Sequence, residues 1–264
     1  MEKFTKDNWK ETDLNVDSLW IIDERAKGGK RENNYHGNFI PQIPDQLIRR
    51  YTDKGETVLE LFSGSGTTLY ECEALGRNYI GFDINRPMIE YIRKKMKECV
   101  SIDYSICDCD VTDTDSFDKS MNMKEACGSH KIDTVDFMIA HPPYLDIIKF
   151  TQDKRDLSQI ADVGVFIDKF VQAVGNGLSY LSKGKYFAIV GGDIYKNSEV
   201  VPLAFYMMDA VKKAFNVKLK GIIVKNIEGN RGKIGARDIW KYRALQSDYY
   251  LFKHEYIFVF KKLG

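Results

Sequence analysis

Two short stretches of the chain, Ser63–Thr68 and His141–Tyr144, carry residue types that hold small ligands and act on them. In the first, two glycines within a Ser-Gly-Ser-Gly-Thr-Thr sequence let the backbone turn sharply and approach a ligand closely. In the second, a histidine precedes two prolines and a tyrosine, so an imidazole and a phenol stand on a loop that proline stiffens. Each stretch needs an element that presents it, and the flanking sequence predicts one for both.

The glycine loop lies between a predicted strand and a predicted helix. Thr57–Leu61 is β-branched and apolar enough for a buried strand, and a helical pattern starts at Thr67 or Thr68, whose hydroxyls are suited to capping it, and runs to Gly76. A second predicted strand, Tyr79–Asp83, ends in an acid about 20 residues after the glycines, where open α/β sheets place a carboxylate on a ribose. This succession of strand, glycine loop, helix and second strand therefore predicts a nucleoside-binding site.

The class of nucleoside follows from what the loop lacks. A dinucleotide fingerprint requires a third glycine at the helix start, where this chain has Thr67 and Thr68, and a phosphate-binding P-loop requires a lysine after Gly66. We therefore expect a ligand that the loop does not bind through a phosphate group. S-adenosylmethionine, which has an adenosine and an amino-acid tail but no phosphate, satisfies that condition.

The two stretches together resemble the signatures of the DNA amino-methyltransferases, which methylate the exocyclic amino group of adenine or cytosine. Phe62–Thr68 is similar to motif I of that family, and His141–Tyr144, after the predicted strand Ile132–Ala140, is similar to its Asp/Asn/Ser-Pro-Pro-Tyr/Phe loop. Asn38–Pro44 resembles motif X, the family's segment for the amino-acid tail of the cofactor. The matches span residues 35–195.

The resemblance implies an α/β fold of the Rossmann-like class I methyltransferase type. We expect a mostly parallel sheet with helices on both faces and an antiparallel C-terminal hairpin, built from Leu219–Val224 and Glu255–Phe260. The resemblance implies S-adenosylmethionine as the cofactor, with Asp83 on the ribose and Phe62 against the adenine. The residues it places at the cofactor are Asn38, Phe39, Pro41, Glu60, Phe62, Ser63, Gly64, Ser65, Gly66, Thr67, Thr68, Asp83 and Asp108. Asp110 would face the same side of a strand as Asp108 and competes for its position.

The resemblance assigns the chemistry to His141, Pro142, Pro143 and Tyr144. An exocyclic amine is a weak nucleophile because its lone pair is delocalised into the ring, so fixed acceptors must hold its two hydrogens. The side chain of His141 and the Pro142 carbonyl are the expected acceptors. Tyr144 is expected to stack on a base extruded from the duplex.

His141 departs from the Asp, Asn or Ser that is usual in the family. A neutral imidazole has one nitrogen that can accept an amine hydrogen and later take the proton, whereas an imidazolium can accept nothing. We therefore predict activity that falls as the pH drops through the pKa of this histidine. In the family Asp or Asn tends to accompany adenine and Ser cytosine, so both target bases stay open, with N4 of cytosine slightly favoured over N6 of adenine. The alternative interpretation of His141 is that the site is inactive and the chain is a subunit that only binds nucleic acid.

Residues 225–253 form the predicted DNA-recognition segment, in which seven Lys/Arg residues stand against three acids, with tryptophan and tyrosines interleaved. Basic residues neutralise phosphates and aromatics stack on bases, although an ordinary solvated excursion between two strands has the same composition. The expected DNA contacts are Arg231, Lys233, Arg237, Lys241 and Arg243. Two other short segments are also expected to contribute to specificity: 112–131, part of a flexible insertion that reaches Lys131, and 145–162, a mobile segment over the substrate. A partner protein or a second copy of the chain is the remaining source.

Composition bounds the remaining alternatives. With 264 residues, 44% hydrophobic and 29% charged, we expect a single catalytic domain over 1–264, and a net charge of +1 means that any DNA-binding face is local. Five cysteines, with no leader and no membrane-length apolar run, favour the cytoplasm and no membrane contact. Cys107 and Cys109 lack the second pair that a zinc site requires, so we expect no metal.

Three classes of function follow. The first is a methyltransferase acting on double-stranded DNA, alongside a cognate restriction endonuclease or in host or phage DNA modification, as a monomer or homodimer. The second is a methyltransferase acting on RNA or on a protein glutamine, because related Pro-Pro-Tyr loops serve those substrates. The third is a non-catalytic nucleic-acid-binding subunit of the same fold.

Overall fold

The described part of the chain forms one eight-stranded sheet and a separate two-stranded hairpin. The computed structural model describes residues 9–31, 37–122, 134–227 and 237–264, with 237–240 described by their backbone only. The strands are β1 Leu19–Trp20, β2 Thr57–Glu60, β3 Asn78–Asp83, β4 Tyr104–Asp108, β5 Val135–Ala140, β6 Leu181–Gly191, β7 Ile194–Lys196, β8 Glu199–Val201, β9 Val217–Asn226 and β10 His254–Lys262. The α-helices are α1 Gln42–Tyr51, α2 Thr67–Leu75, α3 Arg86–Met96, α4 Thr114–Asn122, α5 Val163–Tyr180, α6 Leu203–Ala214 and α7 Arg237–Gln246.

The order of the strands places both chemically interesting stretches at one point of the sheet. The order is β1-β9-β10-β6-β5-β2-β3-β4, with parallel pairing from β6 through β4 and β10 antiparallel to both β6 and β9. The predicted mostly parallel α/β sheet with an antiparallel C-terminal hairpin is confirmed. The strand order reverses at β2, between β3 and β5, and open α/β sheets bind ligands beyond the carboxyl ends of the strands at such a reversal.

Helices pack on both faces of the sheet, as predicted. On one face α5 and α6 contribute Phe166, Phe170 and Met207, which are fully buried. On the other face α1 and α3 contribute Ile48 and Ile92, which are also fully buried. Each side chain of this kind contributes about 1.5–3 kcal/mol when it is buried. Two apolar layers therefore hold the sheet, and with it the loops at its carboxyl edge.

The start of α2 differs from the prediction, because no threonine hydroxyl caps the helix. Gly66 is the N-cap residue, and its φ of 84° lies in the left-handed region that glycine enters without strain. Thr68 Oγ1 instead donates to Glu60 Oε1 at 2.5 Å. Thr67 Oγ1 is buried and has no hydrogen-bond partner among the residues described.

The segment that ends at Lys131, predicted as a flexible insertion, contains α4. Phe117 and Met121 lie one helical turn apart on this helix, and both are buried in the core. Residues 123–133 lie outside the described ranges. None of the helices within those ranges is both long enough and apolar enough to cross a membrane.

The segment 145–162, predicted as mobile, is tied together by its own side chains. Asp156 accepts from the Thr151 N–H and hydroxyl, each at 2.9 Å, and from the Ser158 N–H at 2.8 Å. Leu157 is buried in the core beside it. These contacts give the segment a defined path along the sheet edge.

Candidate active site

A cavity of about 410 Å³ lies at the carboxyl edge of the sheet, where β2 and β5 end. The glycine loop and the His-Pro-Pro-Tyr loop both line it, together with residues 37–40, the loop after β4, parts of 145–162 and the facing ends of β9 and β10. Its volume falls within the range of small-molecule sites, about 300–1,000 Å³. The two stretches with residue types suited to chemistry therefore share one space.

Most of the residues predicted at the cofactor line this cavity. They are Asn38, Phe39, Glu60, Phe62, Ser63, Gly64, Thr67 and Asp83. Pro41, Ser65, Gly66, Thr68 and Asp108 do not line it. Ser65 and Thr68 support residues that do, since Ser65 Oγ donates to Asn38 Oδ1 at 2.7 Å and Thr68 Oγ1 donates to Glu60. Pro41 lies directly before α1 and forms its N-cap.

Glu60, at the end of β2, presents a buried carboxyl group to the cavity. The side chain is 2% exposed, and its two oxygens accept from the hydroxyls of Thr68 and Tyr79, each at 2.5 Å. Burial raises the pKa of Glu60 to about 8, although these two hydrogen bonds lower it. The carboxyl is therefore protonated at neutral pH until a cationic group comes close to it.

Asp83, at the end of β3, is held beside the glycine loop by backbone donors. Its Oδ2 accepts from the Gly64 N–H at 2.7 Å and its Oδ1 from the Asn85 N–H at 2.8 Å. Gly64 has a φ of 51°, so the loop turns at this point with its amide directed at the carboxylate. Burial raises the pKa of Asp83 to about 6, against the effect of the backbone hydrogen bonds. The group is a fixed acceptor at neutral pH.

The prediction for Asp108 is corrected by the structure. The Asp108 carboxylate pairs with Arg86 Nε at 2.5 Å and Arg155 Nη1 at 2.9 Å, and it does not line the cavity. Asp110, the competing residue, does line it, and its Oδ1 accepts from the Thr112 N–H at 2.9 Å and hydroxyl at 2.8 Å. Asp110 is therefore the acid that the loop after β4 brings to the cavity.

His141 begins the loop after β5, and its ring lies between two aromatic side chains. The ring centroid is 4.9 Å from that of Phe39, and Nε2 lies 3.2 Å from the Tyr144 hydroxyl. Burial lowers the pKa of His141, and the positive charge of Lys225 lowers it further, while Glu255 raises it. The imidazole is therefore neutral at neutral pH, with one nitrogen able to accept a hydrogen bond.

Lys225 and Glu255 also belong to the cavity wall. The sequence analysis placed Lys225 only at the start of the predicted DNA-recognition segment and gave Glu255 no role in the site. They face each other across the β9–β10 pair, with Lys225 Nζ 3.0 Å from Glu255 Oε1. The Tyr144 hydroxyl lies 3.5 Å from Glu255 Oε2 and connects the pair to His141. The signal in the sequence is a charged residue at the end of one apolar strand and another at the start of the next.

The residues predicted to contact DNA lie away from this cavity or outside the description. Arg231 and Lys233 fall outside the described residues, and Arg237 is described by its backbone only, as the first residue of α7. Lys241 and Arg243 are exposed on α7 and do not line the cavity. Their role in binding DNA stays a prediction.

Comparison with known proteins adds sequence similarity to this geometry. Residues 1–94 match the family described as DNA methylase. The Type II methyltransferase M.MjaII of Methanocaldococcus jannaschii is 40% identical over 62 residues, which are 24% of this chain and 12% of that protein. M.MjaI of the same organism is 30% identical over 108 residues, 39% of this chain and 33% of that protein. The chain thus spans one third or less of the length of these two relatives.

Among solved structures, TrmN from Thermus thermophilus superposes with a TM-score of 0.54. The superposition covers 86% of this chain and 50% of TrmN at 17% sequence identity, so it shows the fold alone. That fold is the Rossmann-like α/β fold predicted from the sequence. The segment that matches the DNA methylase family carries both the residues of motif X and the glycine loop, so the similarity falls on the part of the chain that lines the glycine-loop end of the cavity.

Proposed function

We propose that the protein is an S-adenosylmethionine-dependent DNA methyltransferase that modifies the exocyclic amine of a base extruded from the duplex. The observation that carries the proposal is the shared cavity, which is lined by the glycine loop with Asp83 and also by the His141–Tyr144 loop. A methyl transfer needs the donor and the acceptor within one enclosed space, because positioning two bound reactants supplies a large part of the rate enhancement. One sheet carries both halves of the site, which supports a single catalytic domain.

The glycine-loop end of the cavity fits the parts of S-adenosylmethionine. Asp83 offers fixed carboxylate oxygens for ribose hydroxyls, and Asp110 offers an acceptor at the end of β4 for the adenine amine. Thr67 Oγ1, buried without a partner among the residues described, offers its hydroxyl at the N-terminus of α2, where a carboxylate is favoured. Glu60 is a buried acid that a nearby ammonium would ionise. The bound cofactor supplies an electrophilic methyl group on a sulfonium.

The His-Pro-Pro-Tyr end of the cavity would hold the amine. In our proposal the Pro142 carbonyl and one nitrogen of His141 accept its two hydrogens, and the two prolines keep both acceptors in place. The contacts of the ring indicate which nitrogen acts. The Tyr144 hydroxyl has one hydrogen, which is directed to the Glu255 carboxylate, so its oxygen accepts from His141 Nε2–H. His141 Nδ1 is then the acceptor.

The same contacts provide for the proton that the amine loses after methylation. His141 Nδ1 takes this proton and the ring becomes an imidazolium. The negative charge of Glu255 raises the pKa of His141, so it favours this charged state. Loss of the proton from His141 to solvent then restores the neutral acceptor.

Two further parts of the proposal rest on the relatives. The names of these relatives, Type II methyltransferases, support a role in restriction-modification. The DNA methylase description of the family matched by residues 1–94 supports DNA rather than RNA or protein as the substrate.

The test is the transfer of labelled methyl groups to macromolecules. Purified protein is incubated with methyl-labelled S-adenosylmethionine and, separately, unmethylated plasmid DNA, RNA or a protein extract. We expect label in DNA only, and we expect His141→Ala to abolish it. His254→Ala removes a histidine outside the cavity and serves as the matched control. Label in RNA or protein, or no label in any substrate, would contradict the proposal.

A further inference from the structure

Lys225 and Glu255 form a buried ion pair in the wall of the cavity. Their side chains are 5% and 8% exposed, and both residues line the cavity. Buried ion pairs are weak contributors to stability, since well-packed apolar residues of similar volume often serve as well or better. The position of the pair beside the proposed amine acceptors therefore suggests a role in binding.

The lysine of this pair retains unused hydrogen-bond donors. Glu255 accepts through both oxygens, from Lys225 at 3.0 Å and from Tyr144 at 3.5 Å. An ammonium group has three N–H donors. Within the described ranges Lys225 Nζ makes a hydrogen bond to Glu255 alone, which leaves donors on a group at the cavity wall.

The ion pair and the ring of His141 belong to one continuous set of contacts. It runs from His141 Nε2 to the Tyr144 hydroxyl, on to Glu255 and then to Lys225. A base is flat, and its pairing edge continues directly from its exocyclic amine. A base with its amine at His141 and Pro142 can therefore place the rest of that edge along the wall that these contacts define.

We propose that Lys225, held in place by Glu255, donates hydrogen bonds to N3 and O2 of an extruded base and so restricts this site to cytosine. The inference rests on the proposed function and adds the identity of the target base. The pairing edge of cytosine presents the N4 amine, the N3 acceptor and the O2 acceptor in sequence. Two donors on one ammonium match the two acceptors.

Adenine does not match the same wall. Its edge presents the N6 amine and the N1 acceptor, followed by a C2–H group that accepts nothing. One donor of the Lys225 ammonium would face this carbon and lose its hydration without a replacement, which is costly for a charged group. A site built to hydrogen-bond a substrate group rejects analogues that lack it, and we expect a preference of about 100-fold or more in kcat/KM.

The first experiment identifies the methylated nucleoside. DNA labelled by the wild-type protein is digested to nucleosides and separated by chromatography. We expect N4-methylcytosine. N6-methyladenine would overturn the inference while leaving the proposed function standing, whereas DNA without any label would overturn both.

The second experiment replaces the O2 acceptor of the target cytosine and leaves the protein unchanged. In a duplex with the sequence that the protein methylates, the target cytosine is replaced by 2-thiocytosine, whose sulfur is a poor hydrogen-bond acceptor. We expect kcat/KM of the wild-type protein to fall about tenfold or more, the value of a hydrogen bond from a charged donor. Equal kcat/KM for the two bases would overturn the inference.

The third experiment removes the donor. Lys225→Met keeps most of the length of the side chain and removes its charge and its donors, and this variant should methylate both duplexes at similar, reduced rates. Lys185→Met is the matched control, because Lys185 pairs with Glu56 at 2.5 Å and Asp136 at 3.0 Å outside the cavity. It should keep the full preference for cytosine over 2-thiocytosine. If Lys225→Met kept that preference as well, Lys225 would have no part in reading the base. If Lys225→Met does not fold, the comparison of cytosine with 2-thiocytosine in the wild-type protein still tests whether the site donates a hydrogen bond to O2 of the base.

Discussion

The Tyr144 hydroxyl lies 3.2 Å from His141 Nε2 and 3.5 Å from Glu255 Oε2. The sequence predicted only a stacking role for this tyrosine, which its ring alone would serve. In the proposed mechanism its oxygen has a second role, because the oxygen fixes which nitrogen of His141 carries the hydrogen. Removing that one atom separates the two roles.

Tyr144→Phe should retain DNA binding and lose methyl transfer, because the ring remains while the tautomer of His141 is no longer fixed. We expect the single-turnover rate to fall about 10- to 100-fold, less than the loss of a direct proton acceptor causes. Tyr195→Phe is the control, since the Tyr195 hydroxyl donates to Asp248 Oδ1 away from the cavity. Nitrogen chemical shifts of His141 should show a mixture of tautomers in Tyr144→Phe only. An unchanged rate would leave Tyr144 with stacking alone.

The rate of the reaction should fall at a lower pH than the ordinary pKa of a histidine would predict. Burial lowers the pKa of His141 below its ordinary value of 6.5, so the imidazole stays a neutral acceptor to lower pH. Single-turnover rates should be level from pH 8 to below pH 6.5 and fall only when the ring gains a proton. His141→Asn places an amide carbonyl, which does not titrate, at the same position, and it should remove this fall. A midpoint at or above pH 6.5 in the wild-type protein would contradict the assignment.

The two acids near the end of β4 should affect the cofactor differently. Asp110 lines the cavity, so Asp110→Asn should weaken S-adenosylmethionine binding about tenfold, the value of one hydrogen bond to a charged group. Asp108 is engaged with Arg86 and Arg155 instead, and Asp108→Asn should change the dissociation constant less than about twofold. Isothermal titration calorimetry measures both. If Asp108→Asn weakened S-adenosylmethionine binding more than Asp110→Asn, Asp108 would be the acid that contacts the cofactor.

This pair of acids shows what a pattern of residues can and cannot predict. Side chains alternate along a strand, so Asp108 and Asp110 are predicted on the same side. The alternation does not predict which of the two carboxylates is paired with another residue. Arg155 arrives from a segment 47 residues further along the chain, and it decides which carboxylate remains available. No local pattern carries that information.

The glycine loop was predictable for the opposite reason. Its strand, turn and helix are consecutive in the chain, so composition and spacing fix them locally, and β2 and α2 begin where the sequence placed them. The ion pair of Lys225 and Glu255 depends on the register of two strands separated by 30 residues. α4 was missed because the aspartates between Asp103 and Asp118 hid the helical spacing of Phe117 and Met121.

The raised pKa of Glu60 predicts that cofactor binding releases a proton. With a pKa of about 8 the carboxyl is mostly protonated at pH 7.3, where Asp83, with a pKa of about 6, is already ionised. The ammonium group of S-adenosylmethionine favours the ionised form of Glu60, so binding should expel the proton, and affinity should rise with pH up to about 8. Calorimetry in two buffers with different ionisation enthalpies should give different apparent binding enthalpies. Glu60→Gln has no proton to lose and should give equal values in both buffers, with weaker binding. Equal enthalpies in the wild-type protein would show that Glu60 does not ionise on binding, and the ammonium would then have to be held elsewhere in the cavity.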